Sequence, residues 1–502
     1  MSRAPFAAAL LALAACGPPA KDAALTLHLL RGDADPFDAP GADEATQVAS
    51  LEARWETAAQ AITQSAPIGA DRQVQLRLAV PPPAEGRMLL RALRADGRLF
   101  SAGRTVTVKV SVDSPAEVPA FMGPVGAFTA VGPDVAGPRM AVAQAALGER
   151  GALLVGGFQG AVAGPSLASP SLLLYDLGQA RLCGEPEGCL SGVAPPPRRD
   201  AIAIALGDGS VLHGLGRLEG GAADAALYLT RPDGATALLA ALPVALYGAA
   251  TVRVDASTVL VLGGHTATAP SAQVYRVDAT SGAIAVQPPL LEARSSPVAV
   301  TLATGQILVA GGEGAAGPLA TAEVYTPGQG SQATDGGAFA QARKSMRGPR
   351  VSPSVARLAD DTVVIFGGGA PNPEVFRLEL GVLVGGFVDL AAPPTDLRAE
   401  RPALLNVGND LLLVGGEPAG AANPIAAWFS PTPNQVLGPL SATYAGSYRA
   451  AGRSSVLRGQ PGLVGLGDGS VLLAGGGTNG ETPPDVANPG ASRVEVLVPE
   501  LE

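Results

Sequence analysis

Three cysteines, three histidines and two tryptophans are all that the 502 residues contain, and aromatic side chains make up only 4% of the chain. A catalytic zinc normally takes three protein ligands, so His28, His213 and His265 with so little cysteine are a poor source of a metal centre. No metal and no other cofactor is expected. Positive charge is short as well: 34 Lys and Arg stand against 44 Asp and Glu, for a net charge of -10 and an isoelectric point near 5.0. Nucleic-acid binding draws on a cationic surplus, so no nucleic-acid partner is expected. No apolar run reaches the roughly 20 residues that a membrane-spanning helix needs. What is abundant is Val, Leu, Ile and Ala, which bring the hydrophobic share to 47%, together with 65 glycines and 45 prolines. That mixture suits many short strands joined by tight turns.

The first residues read as an address. Arg3 precedes an apolar run, Phe6 to Ala12, and Leu13-Ala14-Ala15-Cys16 closes it with small residues. The run is too short to span a bilayer and has the layout of a targeting segment. It resembles the bacterial lipobox, whose cysteine is acylated, which makes Cys16 the expected lipidation site and residues 17–22 a tether. The resemblance implies a membrane partner through that anchor and a place in the cell envelope, the outer membrane more than the inner because no aspartate follows the cysteine. Cys183 and Cys189 bracket a turn-rich loop and fit a local disulfide in an oxidising compartment.

Residues 23–119 carry alternating or densely apolar stretches at Ala23 to Arg31, Gln47 to Trp55, Val74 to Val80, Arg87 to Leu93 and Thr105 to Val112. They predict a small immunoglobulin-like antiparallel sandwich.

From about residue 120 to 502 one unit repeats. Its clearest copy runs from Leu290 to Pro327: an arginine, an apolar strand, a turn, a second apolar strand, Gly-Gly, a loop, and a third strand with an aromatic. The Gly-Gly stop recurs at Gly156, Gly263, Gly311, Gly367, Gly415 and Gly475, with Leu215-Gly216 as a degenerate seventh member. Arg139, Arg198, Arg294, Arg350 and Arg398 each stand seventeen residues ahead of their stop. Tyr247 stands one residue closer in the third copy, and Arg453 is read as the lead arginine of a longer seventh. Tyr175, Tyr228, Tyr275, Tyr325, Phe376, Phe429 and finally Leu497 are read as one third-strand position. A period of about fifty residues with these features resembles the kelch repeat family. The resemblance implies an all-β fold, a seven-bladed β-propeller of four-stranded blades. The chain ends on a third strand, so residues 125–131 are expected to supply the outer strand of the seventh blade and close the ring. Copper-radical oxidases share the kelch propeller but need a free cysteine near paired histidines, and the two propeller cysteines are expected to be bonded to each other.

In such a meander the arginine loops and the loops after Gly-Gly meet at one mouth. A residue repeated once per blade reads as structural, so Arg139, Arg198, Arg294, Arg350, Arg398 and Arg453 are expected to hold blades together. Departures from the repeat are the candidate ligand face: Arg217, Tyr247, His265, Glu313 and Glu417. The expectation is a lipid-anchored binding or scaffold protein that engages a protein or polysaccharide partner through this face. The alternative is a propeller enzyme acting on extracellular carbohydrate, with Glu313 and Glu417 as acid and base.

Overall fold

The computed structural model describes residues 9–12, 24–37, 47–68, 84–110, 116–132, 142–159, 166–167, 171–184, 188–328, 337–370, 372–378, 385–394, 402–415, 425–432, 443–453, 461–476 and 494–500. It is an all-β chain, a seven-bladed propeller preceded by a mixed sheet. The blades span residues 143–183, 202–246, 250–287, 298–341, 354–389, 403–453 and 462–497. Blade 4 shows the plan: Val298–Thr301, Ile307–Ala310, Ala322–Thr326 and Ala338–Gln341 pair antiparallel in chain order. Blade 2 adds a fifth strand, Ser191–Gly192, parallel to its outer strand.

The second strands are apolar on both faces because they lie between two neighbouring blades. Thr258–Leu262, Ile307–Ala310 and Val363–Phe366 are buried throughout. Each seam between blades holds one hydrophobic cluster, as where Leu308 and Val324 of blade 4 meet Ile365 and Phe376 of blade 5. No blade buries its own two faces, so the ring is the smallest stable unit.

Blade 7 is completed from the other end of the chain. Glu495–Leu497 pairs antiparallel with Phe128–Ala130, and Val125 bridges Val498. Asp33 holds the other edge of that strand: its N–H donates to the Ala130 carbonyl at 2.9 Å, and its Oδ1 accepts the Ala130 N–H at 3.0 Å.

Asp208-Gly209 and Asp468-Gly469 sit in the turns between first and second strands, where a two-residue Asp-Gly hairpin would place both residues at positive φ. At Asp208-Gly209 only the glycine has positive φ, at 83°. The Gly209 N–H donates to Leu206 O and the Leu206 N–H to Ser210 O, a type I turn followed by a left-handed glycine.

Ahead of the propeller the expected sandwich is, among the described residues, an eight-stranded mixed sheet. Ala24–Leu30 runs parallel to Ala116–Pro124, a pairing that alternation cannot reveal, since it reports a strand's faces and not its partner. Leu99–Arg104 is the middle strand of the order, Val48–Glu56 pairs with Ala84–Arg94 beside it, and of the described residues in the 105–112 stretch Val108–Val110 form a strand. Val74 to Val80 falls outside the described residues. Trp55, Leu51, Met88 and Leu90 form the core of this sheet. Its Ala102 and Phe121 join the seam between blades 7 and 1, which seats the sheet on the propeller. Ala9–Ala12, part of the expected leader, is an edge strand against Ala24–Leu30.

Candidate functional site

The mouth of the propeller is built by the Gly-Gly stops. Gly263 and Gly264 have φ of 64° and 96°, and Gly311 and Gly312 of 65° and 93°. A Cβ on Gly311 would lie 2.6 Å from the Arg350 carbonyl oxygen of the next blade. The second glycine uses that closeness: the N–H groups of Gly157, Gly264 and Gly312 donate to the carbonyls of Arg198, Arg294 and Arg350 at 2.9, 2.9 and 2.7 Å. Glycine is required here for both conformation and contact.

Those arginines are buried. Arg198, Arg294 and Arg350 are 0–1% exposed, and each donates from Nη1 to the carbonyl seventeen residues on: Leu215 at 3.0 Å, Gly311 at 2.8 Å and Gly367 at 2.6 Å. Each also meets a carboxylate from its own third strand, Asp224 at 2.9 Å, Glu323 at 2.7 Å and Glu374 at 2.9 Å. They tie the start of a blade to its centre and do not face a ligand. Arg139 and Arg398 lie outside the described residues. Arg453 is not in this position; it belongs to the outer strand Gly446–Arg453 of blade 6 and pairs with Ile425. By sequence count Arg458 stands seventeen residues before Gly475, also outside the described residues.

Two readings shift in register. The Gly216 N–H donates to Leu246 O, so Leu246 fills the arginine position of blade 3 and Tyr247 follows it. In the third strands, Tyr325 pairs with Ile307 and Glu323 with Val309, whereas Tyr275 pairs with Val261 and Tyr228 with His213. Counting back from each stop, Tyr228 and Tyr275 therefore occupy the acidic position and not the aromatic one. Blade 3 thus replaces the buried Arg–Glu pair with Leu246 and Tyr275. In blade 2 the Tyr228 ring lies 5.1 Å from the Arg198 guanidinium, and Asp224 supplies the carboxylate.

Above this layer each of blades 1 to 4 raises a short hairpin between its second and third strands: Phe158–Gln159 with Ser166–Leu167, Arg217 with Ala223, His265 with Pro270, and Glu313–Gly314 with Gly317–Pro318. Arg217, His265 and Glu313 also bridge Arg199, Tyr247 and Ser295. Closer to the axis, Asp200, Gly248, Ser296 and Ser352 all have φ between 47° and 57°. Their N–H and carbonyl groups link blade to blade, from Gly248 to Asp200, Ser296 to Gly248 and Ser352 to Ser296, at 3.2, 2.7 and 3.1 Å. The hairpins therefore stand on a rigid base.

Three of the candidate residues come together here. The Arg217 guanidinium lies 4.4 Å from the centre of the Tyr247 ring, and His265 stacks on the same ring with centroids 4.9 Å apart and planes 23° from parallel. Arg217 is held by Asp200, from Nε at 2.6 Å and Nη2 at 2.5 Å. His265 Nδ1 sits 2.5 Å from the Thr266 carbonyl. A carbonyl only accepts, so Nδ1 carries the hydrogen, which in the neutral ring leaves the lone pair on Nε2. All three side chains are partly exposed. Among the described residues no hydrogen-bond partner is seen for Tyr247 Oη, His265 Nε2 or Arg217 Nη1. Glu313 is exposed on the next hairpin, that of blade 4; Glu417 lies outside the described residues, as does Cys16. Asp200 is the member that sequence reasoning missed. Its one signal is the position two residues after Arg198, where Gly248 and Ser296 stand in the next blades.

The other propeller histidine, His213, is buried in blade 2. Its Nε2 lies 2.9 Å from Thr230 Oγ1, its Nδ1 is buried without a partner among the described residues, and it stacks on Tyr228. Burial, helped by the Arg198 charge, pulls its pKa down to about 3. Cys183 and Cys189 are joined in a disulfide, with Cα atoms 6.3 Å apart. Among the described residues no group of three or more His, Cys, Asp or Glu is placed to hold a metal ion.

No protein-family model matches the chain, and no curated protein matches it. Among solved structures it is similar to YjhT, at 10% identity and a TM-score of 0.44, over 63% of this chain and 99% of that one. It is also similar to a fungal alcohol oxidase of the AA5 family in complex with copper, at 16% identity and a TM-score of 0.44, over 61% of this chain and 66% of the oxidase. Both likenesses are of fold alone.

Proposed function

We propose that the chain is a lipid-anchored binding protein of the cell envelope that engages a protein or polymer partner through the hairpin face of a kelch-like propeller. One observation carries this reading: the side chains that break the repeat, Arg217, Tyr247 and His265, stack into one array whose outer polar atoms have no partner among the described residues. A residue repeated once per blade serves the ring, whereas a stacked, half-exposed group of unlike residues departs from the repeat and is the better candidate for a partner contact. Cys16 supplies the anchor in this reading. The hydrolytic alternative needs Glu313 and Glu417 at a defined separation, and no observation favours it.

The test is crosslinking and pull-down from envelope fractions with the intact chain against Arg217→Ala/Tyr247→Ala/His265→Ala, with Cys16→Ser alongside. The intact chain is expected to recover a partner that the triple variant loses at least tenfold, while Cys16→Ser leaves the membrane fraction. Equal recovery by the triple variant would remove this face from consideration, and tight membrane association of Cys16→Ser would remove the acyl anchor.

A further inference from the structure

The same Asp-Gly-Ser turn occurs on blades 2 and 7, and its two copies use their carboxylates differently. Asp208 is exposed; its Oδ1 accepts the Ser210 N–H at 2.9 Å and its Oδ2 the Ser210 hydroxyl at 3.1 Å. Asp468 is 3% exposed; its Oδ1 accepts both the Ser470 N–H at 3.0 Å and the hydroxyl at 2.6 Å. Oδ2 of Asp468 is left without a hydrogen bond among the described residues.

Asp468 lines a cavity of about 190 Å³ where the N-terminal sheet covers the turns of blades 7 and 1. The other charged groups of its wall are largely committed. Arg150 pairs with Asp176 at 3.6 Å, and Glu149 takes Arg87 at 3.2 Å and the Thr107 hydroxyl at 2.7 Å. Arg104, also in the wall, shares the single Glu56 carboxylate with Arg54 at 3.4 Å each, and its Nε is buried without a partner among the described residues. The wall of the cavity thus includes one cation whose carboxylate partner is shared and one underused carboxylate, with no ion pair between the two, together with the apolar side chains Val106, Phe121 and Leu177.

We propose that this cavity binds a small zwitterion of the amino-acid type, with its ammonium on Asp468 Oδ2, its carboxylate on Arg104 and its side chain against Val106, Phe121 and Leu177. The volume is below the roughly 300–1,000 Å³ of drug-sized pockets, which limits the ligand to such a size. Burial raises the Asp468 carboxyl above the usual carboxylate range, against the lowering by Ser470 and Arg104. An ammonium favours the charged form, so binding offsets the rise and tightens as pH rises through the range where the carboxyl titrates.

Calorimetric titration of the whole chain with glycine, leucine and phenylalanine tests the site. Saturable one-site binding is expected from at least one of them. For leucine, isoamylamine and 4-methylpentanoate, which each keep one charge, are expected to bind at least tenfold more weakly. Asp468→Asn keeps an acceptor for Ser470 yet is expected to weaken binding at least tenfold, as is Arg104→Gln, while Asp208→Asn leaves it unchanged. No saturable binding of any of the three, equal affinity for the amine alone, or full affinity in both cavity variants overturns the proposal. If Asp468→Asn fails to fold, Arg104→Gln and the ligand series decide.

Discussion

His213 shows how one side chain can set a pH limit for the whole fold. The folded state keeps it neutral, because burial drives its pKa from 6.5 to about 3, while an unfolded chain takes up a proton below 6.5. Stability contributed by this residue is therefore complete above pH 6.5 and is lost as pH falls towards 3. Between pH 6.5 and 4.5 the loss is about 2–3 kcal/mol. His213→Phe preserves a ring over Tyr228, and Thr230 keeps its bond to Thr236. Urea unfolding at the two pH values is expected to show a smaller fall in the variant than in the parent chain. At this scale the hairpin-face residues were partly legible in the sequence. Arg217 and His265 stood out because they broke a regular position, but their stacking through Tyr247 was not, since it depends on the distance between two blades.

In blades 2, 4 and 5 a buried arginine locks the start of the blade to its centre, and blade 3 solves the same position without one. In blade 4 Arg294 meets Glu323, 0% and 2% exposed; in blade 3 Leu246 and Tyr275 take those positions. Arg294→Leu alone leaves Glu323 charged and buried, and a loss of about 3–5 kcal/mol is expected in thermal or chemical unfolding. Adding Glu323→Gln removes the stranded charge and keeps one acceptor oxygen for the N–H groups of Leu291 and Glu292, which donate to Oε2 and Oε1 of Glu323 at 2.7 and 3.1 Å, at the cost of the other bond. The double variant is expected to be more stable than Arg294→Leu, a coupling that a double-mutant cycle reads directly. The Glu-Val pair ahead of the third-strand residue was written in the sequence at Glu323, Glu374 and Glu495. It was masked by the more conspicuous tyrosines: in blades 2 and 3 these sit two residues out of step, and period-two strands keep the same facing under that shift.

For the whole molecule, the ring is the cooperative unit, and its fastening is one strand pairing between distant parts of the chain. Truncation that removes residues 494–502 unpairs Phe128–Ala130 and uncovers the seam of Val464, Leu472 and Tyr175. Calorimetry is expected to show loss of the single cooperative transition, and size-exclusion chromatography a shift to larger species than the full chain gives. Seven blades could be counted beforehand because the Gly-Gly stops answer to a local demand of backbone geometry. The mixed sheet could not, because its parallel edge depends on which distant strand arrives there. The grip of Asp33 on Ala130 carries a consequence for a chain made from its amino terminus. Six blades must be synthesised while the seventh lacks its own strands, yet the receiving strand need not drift through that interval. It is already moored along one side, so the last residues to emerge meet a waiting berth.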